Sequence, residues 1–126
     1  MIGLISNKYL RMNYKLIENI NYCVYFISDG EYTKIGIAAS LPNRIKQLQT
    51  GNPRKLKALY IIEFETQRQA LEIENKLHKY FADRQVSGEW FAINDRNIFT
   101  ACSRLGYRPS KPASKFDFEI EGIEIV

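Results

Sequence analysis

The sequence predicts an α+β domain: a small, mainly antiparallel three-stranded sheet, ordered β-hairpin, helix, strand, helix, and flanked by helices. Three observations predict it. The stretch "CVYFISDGEYTKIGIA", residues 23–38, is two short apolar runs folded about an Asp-Gly, the strongest short-range hairpin signal. Two later segments, "SLPNRIKQLQTG" and "TQRQALEIENKLHKYFADR", carry apolar residues at helical spacing. Between them "LKALYIIEF", residues 56–64, is a β-prone run of strand length.

Residues 1–20 fit a short strand or a helix equally well, and 1–21 are set aside as an N-terminal extension. In the hairpin, a two-residue turn on Asp29 and Gly30 pairs Ser28 with Glu31 and sets Tyr25 opposite Lys34. Val24 then faces Ile35, and Tyr22 faces Ile37, on the other side of the sheet. A phenol beside an ammonium is an arrangement that lowers the phenol's pKa. The first helix has Ser40 as N-cap, Pro42 in its first turn and Gly51 as stop, with Leu41, Ile45 and Leu48 on one face.

"NPRK" is a turn into the third, largely buried strand. In the second helix Thr66 and Gln69 form a capping box. Ala70, Ile73, Leu77 and Phe81 make its core stripe, widened by Leu71 and Tyr80. Glu74 borders that stripe. "SGEWFAI" reads as a turn and a short strand, and "DRNIFTACSRLG" as a last helix stopping at Gly106. The domain therefore spans 22–106. Residues 107–126 are a Pro/Ser/Lys linker and an acidic tail that alternates like a strand.

With 126 residues, 45% of them hydrophobic and 25% charged, the composition is that of one soluble domain with an adequate core. No apolar run approaches the roughly 20 residues that span a membrane, and the opening lacks a signal-peptide pattern. Cys23 and Cys102, outside any metal-like spacing, suit reduced thiols and a cytoplasmic location. A single histidine, His78, excludes multi-histidine zinc sites but leaves room for a hard, oxygen-ligated cation. The net charge of +4 is unevenly spread: the last eleven residues hold four acids and no base, leaving 18 bases against 10 acids before them. So basic a body suits a polyanion, most simply nucleic acid.

Four residues stand out against this background: Tyr25 and Lys34 on the hairpin, Arg44 on the first helix and Glu74 on the second. A carboxylate for a metal, an arginine for a phosphate and a tyrosine with a lysine neighbour make a set able to cleave a phosphodiester. Their order resembles the GIY-YIG nuclease superfamily. "CVY" stands for its first motif and keeps Tyr25; "KIG", residues 34–36, stands for its second, with Lys34 replacing a tyrosine. Arg44 follows at the family's spacing, and "ALEIENKLHKYF" resembles its glutamate helix, with "LEIEN" close to the incision nucleases of nucleotide-excision repair. "KIG", "LHKYF" and "GEWF" together look most like a phage-type branch usually labelled DNA-binding. The resemblance covers about residues 22–94.

It implies Tyr25 as general base, Lys34 as support for its phenolate or a phosphate contact, and Arg44 as clamp of the scissile phosphate. Glu74 becomes the ligand of one Mg2+ or Mn2+ ion. From position alone, His78, one turn from Glu74, and Glu89, in the turn before Trp90, read either as structural residues or as accessory groups. DNA is the implied partner, with RNA left open. Leu48 stands where many active members have a histidine, Cys23 replaces the first motif's glycine, and the late asparagine has no clear counterpart. These departures carry the rival reading, a catalytically silent DNA-binding module. The acidic tail carries a third, a protein-interaction or inhibitory domain; its residues 116–126 are read as adding to a sheet edge, either of the same molecule or, in a homodimer, of a neighbour.

Overall fold

In the computed structural model, which describes residues 21–112, strands β1 (Tyr22–Ser28) and β2 (Thr33–Ala38) form the hairpin. Their register differs from the expected one. Ser28 pairs with Thr33, Tyr25 with Gly36 and Val24 with Ile37, a slip of two residues. The connection is a four-residue loop closed by its own aspartate. The Asp29 carboxylate accepts the Glu31 and Tyr32 amides at 2.9 and 2.7 Å, and Asp29 N–H donates to the Tyr32 carbonyl at 3.1 Å. A local side-chain turn of this kind outcompetes the tight two-residue turn. Because strand side chains alternate with period two, the slip leaves the faces unchanged: Tyr25 and Lys34 share one, Val24 and Ile35 the other.

Helix α1 (Leu41–Thr50) starts on Ser40, whose hydroxyl accepts the Asn43 amide, and buries Leu41 and Ile45. Strand β3 (Lys57–Phe64) pairs antiparallel with β1. Helix α2 (Gln67–Tyr80) opens with the Thr66–Gln69 capping box and buries Ala70, Ile73 and Leu77, with Phe81 buried just beyond it. Leu71 and Tyr80 do not widen the stripe; both are exposed, and Glu74 is buried instead. The helical stretch also ends sooner than expected, giving way to a 3-10 turn at Ala82–Arg84. Two short strands follow, β4 (Gln85–Ser87) and β5 (Trp90–Phe91), then helix α3 (Asp95–Leu105), capped by Asn94 and ended by Gly106 at φ 89°.

The sheet thus has five strands in the order β3-β1-β2-β5-β4, every pair antiparallel. Helices α2 and α3 cover the face carrying Val24, Phe26 and Ile35; helix α1 covers the face carrying Tyr25 and Ile27. Cys23 and Cys102 are buried free thiols. No helix among the described residues is long and apolar enough to cross a membrane.

The two flanks of the sheet end differently. Along the outer edge of β3, Ser110 exchanges backbone hydrogen bonds with Ile61 at 2.8 and 2.9 Å, and Lys111 lies over the Tyr60 ring. Residues 107–112, read in the sequence as linker, therefore include an edge cover. The N-terminal extension, the acidic tail and the tail-mediated homodimer lie outside the described residues. On the other flank, β5 meets β2 at Thr33 and Lys34 alone, and the Glu89 carbonyl accepts the Ile35 amide at 3.0 Å. Beyond Ile35, β2 has no outer strand partner among the described residues, which leaves a notch in the sheet edge.

Candidate functional site

Gly36 is the floor of this notch, and Tyr25 explains why it is glycine. A Cβ built on Gly36 would stand 2.6 Å from Tyr25 Cζ and closer still to the hydroxyl, a clash no real Cβ tolerates. The phenol of one motif lies in a slot that the glycine of the other leaves empty. Tyr25 is only 2% exposed, and among the described residues its hydroxyl makes no hydrogen bond. Burial pushes the phenol up to about 12; the Arg44 charge opposes the shift, while Glu89 and Glu74 add to it. The expected lowering by Lys34 is absent. The register slip puts Lys34 opposite Ile27, and its ammonium pairs with Glu89 Oε1 at 3.1 Å, 5.6 Å from the centre of the Trp90 ring.

Arg44 comes from α1, half-buried, near enough to Tyr25 for its charge to be felt, with Nη1 donating to Gln47 Oε1 at 3.4 Å. Leu48, one turn later, is half-buried against the cluster that contains Tyr25, as is Trp90.

Glu74 arrives from α2, on the other side of the sheet. Its side chain is 10% exposed and, among the described residues, accepts no hydrogen bond. Burial raises its pKa, the Glu89 charge raises it further, and His78 and Lys34 pull the other way. His78, one turn along, has Nε2 at 3.8 Å from Glu74 Oε2, too far for a hydrogen bond. That nitrogen lies 2.9 Å from the Ile35 carbonyl; since a carbonyl only accepts, Nε2 carries the proton. The ring also stands edge-on to Phe91 at 5.0 Å. His78 is thus tied to β2 and β5 and leaves Glu74 unsatisfied.

Glu74, His78 and Glu89 each bring one potential ligand atom to within 4.8 Å of the other two. Carboxylate oxygens with an imidazole suit a hard or borderline divalent ion such as Mg2+ or Mn2+. The buried, unsatisfied Glu74 carboxylate is the feature that fits one, because a buried anion needs a counter-charge or donors. The fold therefore gathers all six candidate residues around one notch. The sequence under-read Glu89: its turn and following short strand were visible, but its pairing with Lys34 depends on β5 docking beside β2, which has no local signal.

Fold and site together define a small α+β domain in which a buried acid, Glu74, and an arginine, Arg44, each act on the buried Tyr25. Residues 22–106 match the T5orf172 domain, and the chain belongs to that family, a phage-associated group of endonuclease-related domains. Neither a curated protein nor a solved structure matches the chain.

Proposed function

We propose that the domain binds DNA and hydrolyses a phosphodiester bond as a GIY-YIG-type endonuclease, with one Mg2+ or Mn2+ ion held at Glu74. The observation that carries this reading is the Glu74 carboxylate, buried without a hydrogen bond from the described residues and close enough to Tyr25 and Lys34 for their charges to interact. When bound, the ion supplies Lewis-acid charge to the phosphodiester. Arg44 clamps the non-bridging oxygens, where its planar fork fits phosphate. Tyr25, buried over Gly36, is the group that would take a proton from the attacking water. Burial keeps its proton on at neutral pH, and Arg44 is the neighbouring charge that favours the ionised form a base requires. His78, anchored through Ile35, holds α2 against β2 so that Glu74 stays at the sheet edge. The excess of bases in the body attracts the phosphate backbone.

Leu48 favours a second reading, a domain that binds DNA through the same surface without cutting it. Plasmid nicking with Mg2+ and with Mn2+, comparing wild type with Glu74→Ala, separates the two. Cleavage by wild type alone supports the nuclease; equal cleavage by both removes Glu74 from the chemistry; binding with no cleavage by either leaves the silent module.

A further inference from the structure

Lys34 and Glu89 form an ion pair directly beside an unsatisfied buried carboxylate, and that placement has a consequence for cation binding. We infer that Glu89 is a second carboxylate ligand for the ion at Glu74, and that Lys34 is the cation it exchanges for that ion. This rests on the metal-dependent reading above.

The two carboxylates have different freedoms. Glu74 is nine-tenths buried on a helix, so it is the fixed ligand. Glu89 follows Gly88, at φ 56°, in a turn; its carbonyl is pinned by the Ile35 amide, but its side chain is 43% exposed and can swing. Two oxygens of one magnesium-sized ion lie about 3 to 4 Å apart, given metal–oxygen distances near 2.1 Å. The ligand atoms, now within 4.8 Å of one another, close to that spacing by a change of Glu89 rotamer. His78 already spends Nε2 on Ile35, which leaves the carboxylates as the ligands that need no bond broken inside the fold.

Lys34 stands in for the ion. Its ammonium pairs with Glu89 at 3.1 Å, and the Glu89 carboxylate lies within 4.8 Å of a Glu74 oxygen, so one cation stands beside both acids. A divalent ion at the same place releases Glu89 from it. Lys34, its side chain 16% exposed, keeps the Trp90 face as a seat, and its ammonium is then available to a phosphate. The exchange moves one positive charge toward the substrate as the ion enters.

The test is Mn2+ titration of the full chain, following free Mn2+ by electron paramagnetic resonance, with thermal melts as a folding control. Glu89→Gln should weaken Mn2+ binding by at least the roughly tenfold to hundredfold that loss of an outer-shell partner costs. Lys34→Met should tighten it. In the double variant the tightening should vanish, since Lys34 has no ligand left to release. Wild-type affinity in Glu89→Gln, with binding lost in Glu74→Gln, overturns this inference and leaves the proposed function standing. Tightening by Lys34→Met that persists without Glu89 makes Lys34 a diffuse charge and overturns the exchange. Wild type that binds no Mn2+ overturns both.

Discussion

Asp29 and Glu74 are almost equally withdrawn from water, at 14% and 10% side-chain exposure, and the fold treats them in opposite ways. Desolvation pushes both carboxyls up. At Asp29 it loses to the Tyr32 and Glu31 amides and the Arg54 charge, and the carboxyl ends below its ordinary value. At Glu74 no hydrogen-bond donor among the described residues answers it, Glu89 adds to it, His78 and Lys34 only partly oppose it, and the carboxyl ends raised. The carboxylate that stitches the loop is served by its neighbours, whereas Glu74 accepts no hydrogen bond from the described residues. Burial alone does not distinguish them; the hydrogen-bond partners do.

The comparison breaks most sharply on cleavage. Glu74→Ala should abolish metal-dependent nicking, while Asp29→Ala should cut like wild type in the same assay. Arg44→Ala should slow cleavage on the order of a hundredfold or more, as loss of a transition-state charge contact does, with little change in melting temperature. Gly36→Ala tests the slot between the two motifs. It forces Tyr25 aside, and overpacking of this sort costs about 1–3 kcal/mol, so a lowered melting temperature together with lost cleavage is expected. An unperturbed Gly36→Ala would mean that Tyr25 need not lie where it does.

Stability sharpens the contrast further. Asp29→Ala removes two amide hydrogen bonds and should destabilise the fold by about 1–3 kcal/mol, read from denaturant melts. Glu74→Gln, without added metal at neutral pH, should be neutral or stabilising, because it removes a buried, unsatisfied charge. The pH dependences have opposite signs. Asp29, its folded pKa depressed, contributes stability that is present above its unfolded pKa and lost as pH falls through the folded one. Glu74, its folded pKa raised, opposes folding once ionised, so acidification from neutral through that raised pKa relieves the penalty. Melts from neutral down to about pH 5, above the ordinary carboxyl values, should show Glu74→Gln flattening this gain. The same slope in wild type and Glu74→Gln would break the comparison.

What the sequence determined was local. A cap, its partner three residues on and a stripe at i, i+3, i+4 and i+7 lie within a few turns of one helix. Ser40, the Thr66–Gln69 box, the Ala70–Ile73–Leu77 stripe and the Gly106 stop are therefore legible without knowledge of the fold. The face shared by Tyr25 and Lys34 was legible too, because period two survives an even slip of register. Tertiary structure decided the rest. The register itself turned on Asp29 closing its own loop, a contest between turns of similar local cost. The fit of Tyr25 over Gly36 depended on that register, and the match of Lys34 with Glu89 on a two-residue strand docking beside β2. Glu74 could be placed at the border of its stripe from helical spacing, but not known to be unsatisfied. That depends on where donors from distant segments come to rest, and a donor's absence leaves no mark in the sequence around the acid.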